Sequence, residues 1–142
     1  MWTEAFDLHS HSTNSDGEHP VADVAKMMAE SKVQFWSLTD HDTISGWSSG
    51  KQAAESEGMK FIPGVEITCM PGLEANAAVM GTRQRDRASD SWHLLAYFPH
   101  IEFSSKGHMD FEAWLAPLGQ GRIPRMKTMV QRLEELGMPI DF

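Results

Sequence analysis

The stretch Asp7-Leu8-His9-Ser10-His11-Ser12-Thr13-Asn14-Ser15-Asp16-Gly17 follows a short apolar start and sets two imidazoles and two carboxylates in one run. In extended backbone, alternate side chains share a face, so His9 and His11 point to one side with Asp7 beside them. Asp16 follows on a Ser/Asn/Gly loop that can fold back. Neutral imidazole together with carboxylate suits zinc, manganese or iron, and a site without thiolates is more often hydrolytic than structural. A His-x-His pair alone does not separate a metal site from a solvated polar loop, so the rest of the chain decides.

A second cluster, Thr39-Asp40-His41-Asp42, follows the apolar run Val33 to Leu38, and Glu66 closes the run Phe61 to Val65. Three times a short apolar segment ends in His, Asp or Glu. A parallel α/β sheet has this pattern when its site is built at the carboxyl ends of the strands. The intervening segments agree. Ala5 to His9 reads as a strand. Pro20 opens a helix with Val21, Val24, Ala25 and Met28 on one face, and Gln34 to Thr39 is the second strand. A helix from Thr43, a plausible N-cap, to Glu57 is ended by Gly58. Lys60 to Thr68 reads as the third strand, and Asp42 is placed to start the helix before it.

Residues 69–91 mix Pro, Gly, Asn and charge without periodicity and read as a long loop. The run Trp92 to Phe98 would carry His93 to the wrong rim if parallel to the others. An antiparallel hairpin with the third strand returns His93 to the same end as Glu66. Beyond it, Phe111 to Leu118 predicts a short helix. Met126, Met129, Val130, Leu133 and Leu136 give one apolar helical face, with Gly137 as terminator.

The ordered set DLHSHS, SDG, LTDHDT, FIPGVEIT and HLLAYF resembles the PHP (polymerase and histidinol phosphatase) superfamily of metal-dependent phosphoesterases. It is most similar to bacterial nucleoside 3′,5′-bisphosphate phosphatases and 5′-to-3′ exoribonucleases. The resemblance covers Phe6 to Phe98 and, more loosely, the helix from Arg122 to Leu136. It implies an α/β fold, the N-terminal half of a distorted seven-stranded (β/α) barrel. Residues 1–142 would then be one PHP domain, truncated at its C-terminal end, with an insertion at about 69–91. Family members continue with a Gly-Arg-x-His-like segment and a late Asp-x-His motif, which these residues lack.

The resemblance also implies a ligand set: His9, His11, Asp16, His41, Glu66 and His93 around up to three divalent ions, Mn2+, Zn2+ or Fe2+. Glu66 would bridge two of them, His93 would complete the second, and Asp16 and His41 would hold a third. Asp7 and Asp40 remain as groups that orient the histidines. Such ions activate water for in-line attack at phosphorus and stabilise the departing oxygen. Arg122, Arg125 and Lys127 are the nearest basic group to grip a second phosphate.

Composition bounds the partners. A formal net charge of −8 argues against broad binding to duplex nucleic acid. It is compatible with a small phosphorylated substrate, a nucleotide or short RNA 5′ end, once cations offset the carboxylates. The single Cys69 excludes an internal disulfide. No secretory signal or membrane span is legible, so a cytoplasmic protein is expected. Trp2, Trp36, Trp47, Trp92 and Trp114 are too scattered for a base-stacking platform. The ten Met residues read as core fillers, and His19, His100 and His108 as surface or loop residues. Two other classes stay open: an amidohydrolase-type C–N hydrolase, which can also open on His-x-His, and a catalytically silent metal-binding module. Proofreading and histidinol phosphate members of the same superfamily also stay open.

Overall fold

A computed structural model describes residues 5–69, 92–120 and 122–140. Its strands are β1 (Phe6–Asp7), β2 (Phe35–Trp36), β3 (Lys60–Phe61), β4 (Gly64–Cys69) and β5 (Trp92–Tyr97). The helices are α1 (Val21–Glu30), α2 (Trp47–Ser56), α3 (Lys106–Gln120) and α4 (Arg122–Glu135). β1, β2 and β3 form a parallel sheet in that order, and β4 pairs antiparallel with β5. The hairpin expected from the position of His93 is therefore present. The insertion expected at 69–91 lies, apart from Cys69, outside the described residues.

Strand character continues past the short formal strands. Ser37 N donates to Asp7 O at 2.9 Å and Thr39 N to Ser10 O at 2.8 Å. An isolated parallel bridge then joins His41 to Glu66. The segments carrying the quoted motifs thus lie side by side at one end of the sheet.

Two apolar clusters fix this layout. α1 presents Val21, Val24 and Ala25 at helical spacing to Val33, Trp36 and Leu38 of the β2 segment, with Ala54 and Met59 closing the cluster. Trp36 is fully buried, and its indole N–H reaches Ser10 Oγ at 2.8 Å. The second cluster joins Ile44, Trp47, Val65, Ile67 and Leu115. There the Trp47 indole donates to Gly64 O at 2.6 Å. Each large side chain buried this way stabilises by roughly 1.5–3 kcal/mol.

Four expectations need correction. The single strand expected over Lys60 to Thr68 is two strands. Pro63, between them, has no N–H for a ladder, so β3 stays with β2 while β4 turns to β5. The second helix begins at Trp47 with Gly46 as N-cap, not at Thr43. Thr43 Oγ1 instead accepts the N–H of Ser45 at 3.2 Å, a local turn that competes with helix, and Asp42 has a left-handed φ of 54°. α3 is longer than Phe111 to Leu118, because Ser105 Oγ caps it by accepting the N–H of His108 at 3.2 Å. Finally, Met126, Met129 and Leu136 of the α4 region are exposed among the described residues, and so are Met27, Met109 and Met138. They fill no core there.

The helix ends agree with their glycines: Gly58 and Gly137 adopt φ of 74° and 79°, values open to glycine without cost. Among the described residues, no helix is long and apolar enough to cross a membrane.

Gly64 marks where β4 starts beside the β2 extension. A Cβ there would lie 2.3 Å from Ser37 Oγ and 2.9 Å from Thr39 Cγ2. Gly64→Ala is expected to destabilise the fold by roughly 1–3 kcal/mol through overpacking. Urea unfolding measures this; an unchanged midpoint would show that the two segments are not in tight contact.

Candidate metal centre

The site is assembled from three chain segments and one returning strand. His9 and His11 come from the extended segment after β1, Asp16 from the loop beyond it, and His41 from the segment after β2. Glu66 sits inside β4, while His93 is the second residue of β5. In the hairpin Glu66 pairs with Leu95 and Thr68 with His93. His93 is therefore the diagonal neighbour of Glu66 on the same face. Val65 and Ile67, pointing the other way, bury in the second cluster.

All six predicted ligands converge. His9 Nε2 lies 2.7 Å from Glu66 Oε2, His11 Nε2 3.0 Å and His41 Nε2 3.8 Å from the same oxygen. His93 Nδ1 lies 2.7 Å from Oε1. Asp16 is 2.9 Å from His11 Nδ1 through one oxygen and 3.4 Å from His41 Nε2 through the other. Glu66 and His41 form a buried floor, while the side chains of His9, His93 and Asp16 are 51%, 44% and 58% exposed and form a rim.

This geometry fits cations. Donors sharing one ion at about 2.0–2.2 Å are spaced roughly 3–3.5 Å apart, and the distances of 2.7–3.8 Å around Glu66 Oε2 and 2.9–3.4 Å around Asp16 bracket that spacing. His11 Nδ1, though near Asp16, is not aligned with it for a hydrogen bond; two donors that converge on a common third atom approach in this way. Among the described residues, three triads have ligand atoms within 4.8 Å of one another: His9–His11–Glu66, His11–Asp16–His41, and His41–Glu66–His93. The first and last share only Glu66, whose two oxygens can serve two ions. The middle triad needs His11 and His41 again, and a neutral imidazole has one unprotonated nitrogen and so serves one ion. The six residues therefore contain two triads that have no histidine in common and meet at Glu66, with Asp16 outside both.

The residues expected to orient the histidines act differently. Asp40, fully buried, accepts hydrogen bonds from Ser12 N, Ser12 Oγ and Ser15 Oγ, each at 2.7 Å. These are loop contacts and not contacts to an imidazole. Asp7 Oδ1 accepts the main-chain N–H of His9 at 3.2 Å, fixing the backbone of that residue. Arg122 begins α4 and Arg125 lies exposed on it.

Sequence reasoning missed three residues. Asp42 accepts the N–H and hydroxyl of Thr68, both at 2.7 Å, and so ties the His41 segment to β4. Tyr97 Oη donates to Leu8 O at 2.8 Å, joining β5 to the segment after β1. Burial, with the Asp7 and Glu66 charges, pushes its phenol up, so it remains a neutral donor. The alternation His93, Leu95, Tyr97 was the available signal. His108, expected at the surface, is half-buried, stacked 5.7 Å from Trp47 and 5.7 Å from Phe103.

Residues 7–123 match the family model described as PHP domain, and the chain belongs to that family. Over 105 residues it is 30% identical to a phosphoribosyl 1,2-cyclic phosphate 1,2-diphosphodiesterase of Eggerthella lenta, covering 62% of this chain and 40% of the relative. Over 66 residues it is 39% identical to a 5′-3′ exoribonuclease of Haemophilus influenzae, covering 46% and 24%. The solved structure of an amidohydrolase from Chromobacterium violaceum, with bound sulfate and no metal, superposes with a TM-score of 0.72 at 26% identity. That match covers 94% of this chain and 40% of the other. The chain thus spans well under half the length of these proteins.

Burial alone would raise the Glu66 carboxyl, but the hydrogen bond from His9 and the charges of His41, His9 and His11 outweigh it and hold the group below its usual value of 4.5. Asp16 is likewise held down: burial is outweighed by His41 and His11. A lowered folded pKa contributes stability that is present above the unfolded value and lost as pH falls through the folded one. Metal-free protein is therefore expected to lose thermal stability as pH drops below about 4.5, and Glu66→Gln to flatten that part of the curve. Superimposable melting-temperature profiles for the two proteins would refute the coupling.

Proposed function

We propose that this PHP domain chain carries the metal centre of a phosphoesterase that hydrolyses a phosphomonoester or phosphodiester of a nucleotide or short RNA 5′ end. The observation that carries the reading is the convergence of His9, His11, His41 and His93 on the Glu66 carboxylate, with Asp16 at the edge. Divalent ions held there, manganese, zinc or iron, would supply Lewis-acid stabilisation of phosphoryl oxygens and an activated water. No side-chain nucleophile is then required.

The chain's own residues have separable tasks in this reading. Glu66, buried and carrying two oxygens, would be the ligand that two cations share. His9 and His11 would hold one ion with it, and His41 and His93 another. The exposed rim of His9, His93 and Asp16 leaves the cluster open to a substrate. Asp7 fixes the backbone at His9, and Asp40 fixes the loop before Asp16. Arg122 and Arg125 are assigned to a second phosphate group, for which guanidinium is suited by its paired N–H groups.

The PHP family and the phosphoester-cleaving names of two relatives support phosphorus over amide chemistry. The substrate class is taken from the same source, as these relatives act on a phosphoribosyl cyclic phosphate and on RNA. In the complete protein, the described strands would be the first part of a distorted seven-stranded barrel.

The test compares a nucleoside 3′,5′-bisphosphate, bis(p-nitrophenyl) phosphate and an N-acyl amide as substrates with added manganese. Phosphoester cleavage is expected, and His9→Ala or Glu66→Ala should lower kcat/KM by about 10³-fold or more, the scale of a lost metal contribution. His108→Ala should keep turnover while losing roughly 0.5–3 kcal/mol of stability from its aromatic packing. Amide turnover without phosphoester turnover would overturn the reading, and full activity of Glu66→Ala would remove the bridging role.

A further inference from the structure

We infer that the Asp40 carboxylate is a positioning residue that fixes the spacing of His11, Asp16 and His41, and that the role requires an acceptor at both of its oxygens. The inference rests on the metal reading above.

Each hydrogen-bond partner of the Asp40 carboxylate is the chain neighbour of a candidate ligand. Ser12 follows His11, Ser15 precedes Asp16, and Asp40 itself precedes His41. One carboxylate thus indexes all three members of the middle triad. Ser12 is the hub of the loop: its carbonyl accepts from Ser15 N and Gly17 N, both at 3.0 Å. Gly17 presses so closely on the loop that a Cβ would lie 2.5 Å from His11 C. On the far side, a Cβ at Gly46 would lie 2.6 Å from Leu38 Cδ2 and 2.8 Å from Asn14 Nδ2. The loop therefore has little room to shift as a body.

The requirement for a carboxylate follows from counting donors and acceptors. Ser12 Oγ receives the main-chain N–H of Asn14 at 3.2 Å and the Asn14 Nδ2 group at 3.1 Å. A hydroxyl accepts at two positions and donates one proton. Both acceptor positions are taken, so its proton must go to Asp40 Oδ2. Asp40 Oδ1 meanwhile accepts the N–H of Ser12 and the hydroxyl of Ser15. Asparagine cannot reproduce this in either orientation. With Nδ2 in the place of Oδ2, it faces an oxygen whose acceptor positions are filled; with Nδ2 in the place of Oδ1, it faces the Ser12 N–H, donor against donor. The near-isosteric Asp40→Asn substitution therefore breaks the loop anchor, although it preserves size.

The test is a cobalt(II) titration of the complete chain, read by the d–d absorption of bound cobalt, for wild type, Asp40→Asn and Ser15→Ala. Circular dichroism of each variant checks folding. Asp40→Asn is expected to bind cobalt about 10–100-fold more weakly, the usual cost of losing a group that orients ligands, with an altered d–d band at saturation. A merely structural role would leave that band unchanged. Ser15→Ala removes one anchor and keeps the Ser12 pair, so a smaller loss in the same direction is expected. It replaces Asp40→Asn as the deciding variant if the latter does not fold. Wild-type affinity and spectrum in the deciding variant would overturn the positioning role alone. No cobalt uptake by the wild type would overturn the metal reading itself, and this proposal with it.

Discussion

A buried carboxylate ringed by imidazoles is the constraint on which the structure depends. Glu66 has four histidine nitrogens within 3.8 Å, three at one oxygen and one at the other. A buried charge costs several kcal/mol unless compensated, and here compensation must come from three separate segments of chain. The position of β4 therefore controls the whole arrangement. Its other face, Val65 and Ile67, is held in the second apolar cluster, so packing on one side and charge pairing on the other fix the strand together.

The site is built on segments that are barely strands, yet they are fastened as firmly as a sheet. Main-chain bonds from Ser37 and Thr39 to the segment after β1 continue the ladder beyond β2. Side chains then take over where regular pairing stops. Asp40 reaches back to Ser12 and Ser15, Asp42 reaches forward to Thr68, and His41 sits between them. Tyr97 closes the remaining gap, from β5 to Leu8. The Thr-Asp-His-Asp sequence thus contains one candidate ligand flanked by two braces. This explains why acidic groups crowd a cluster that already carries Glu66 and Asp16.

Much of the architecture was legible because it depends on local rules. The 3.6-residue period of Val21, Val24 and Ala25 gave α1, and the left-handed glycines at 58 and 137 marked helix ends. The need to bring His93 to the end of the strand that carries Glu66 required an antiparallel return. The failures have a common cause. Thr43 and Asp42 looked like helix starters because their side chains suit that role, but neighbouring groups claimed those side chains first. Pro63 split a continuous apolar run because β3 and β4 need different partners. The apolar stripe of α4 had helical spacing, and spacing alone does not say what, if anything, packs against it.

The sequence by itself determined the donor chemistry and its placement. Imidazoles and carboxylates at the ends of apolar runs, at alternating positions, belong to strand ends by periodicity alone, and the ordered motifs carried the PHP resemblance. Only the tertiary structure decided which donors meet, that Glu66 is their common partner, and that Asp40 braces a loop instead of an imidazole. The reason is distance along the chain. Contacts such as Asp40 to Ser12 or Glu66 to His9 join residues tens of positions apart, and no local periodicity encodes a hydrogen bond whose two ends are brought together only when separate apolar clusters have packed.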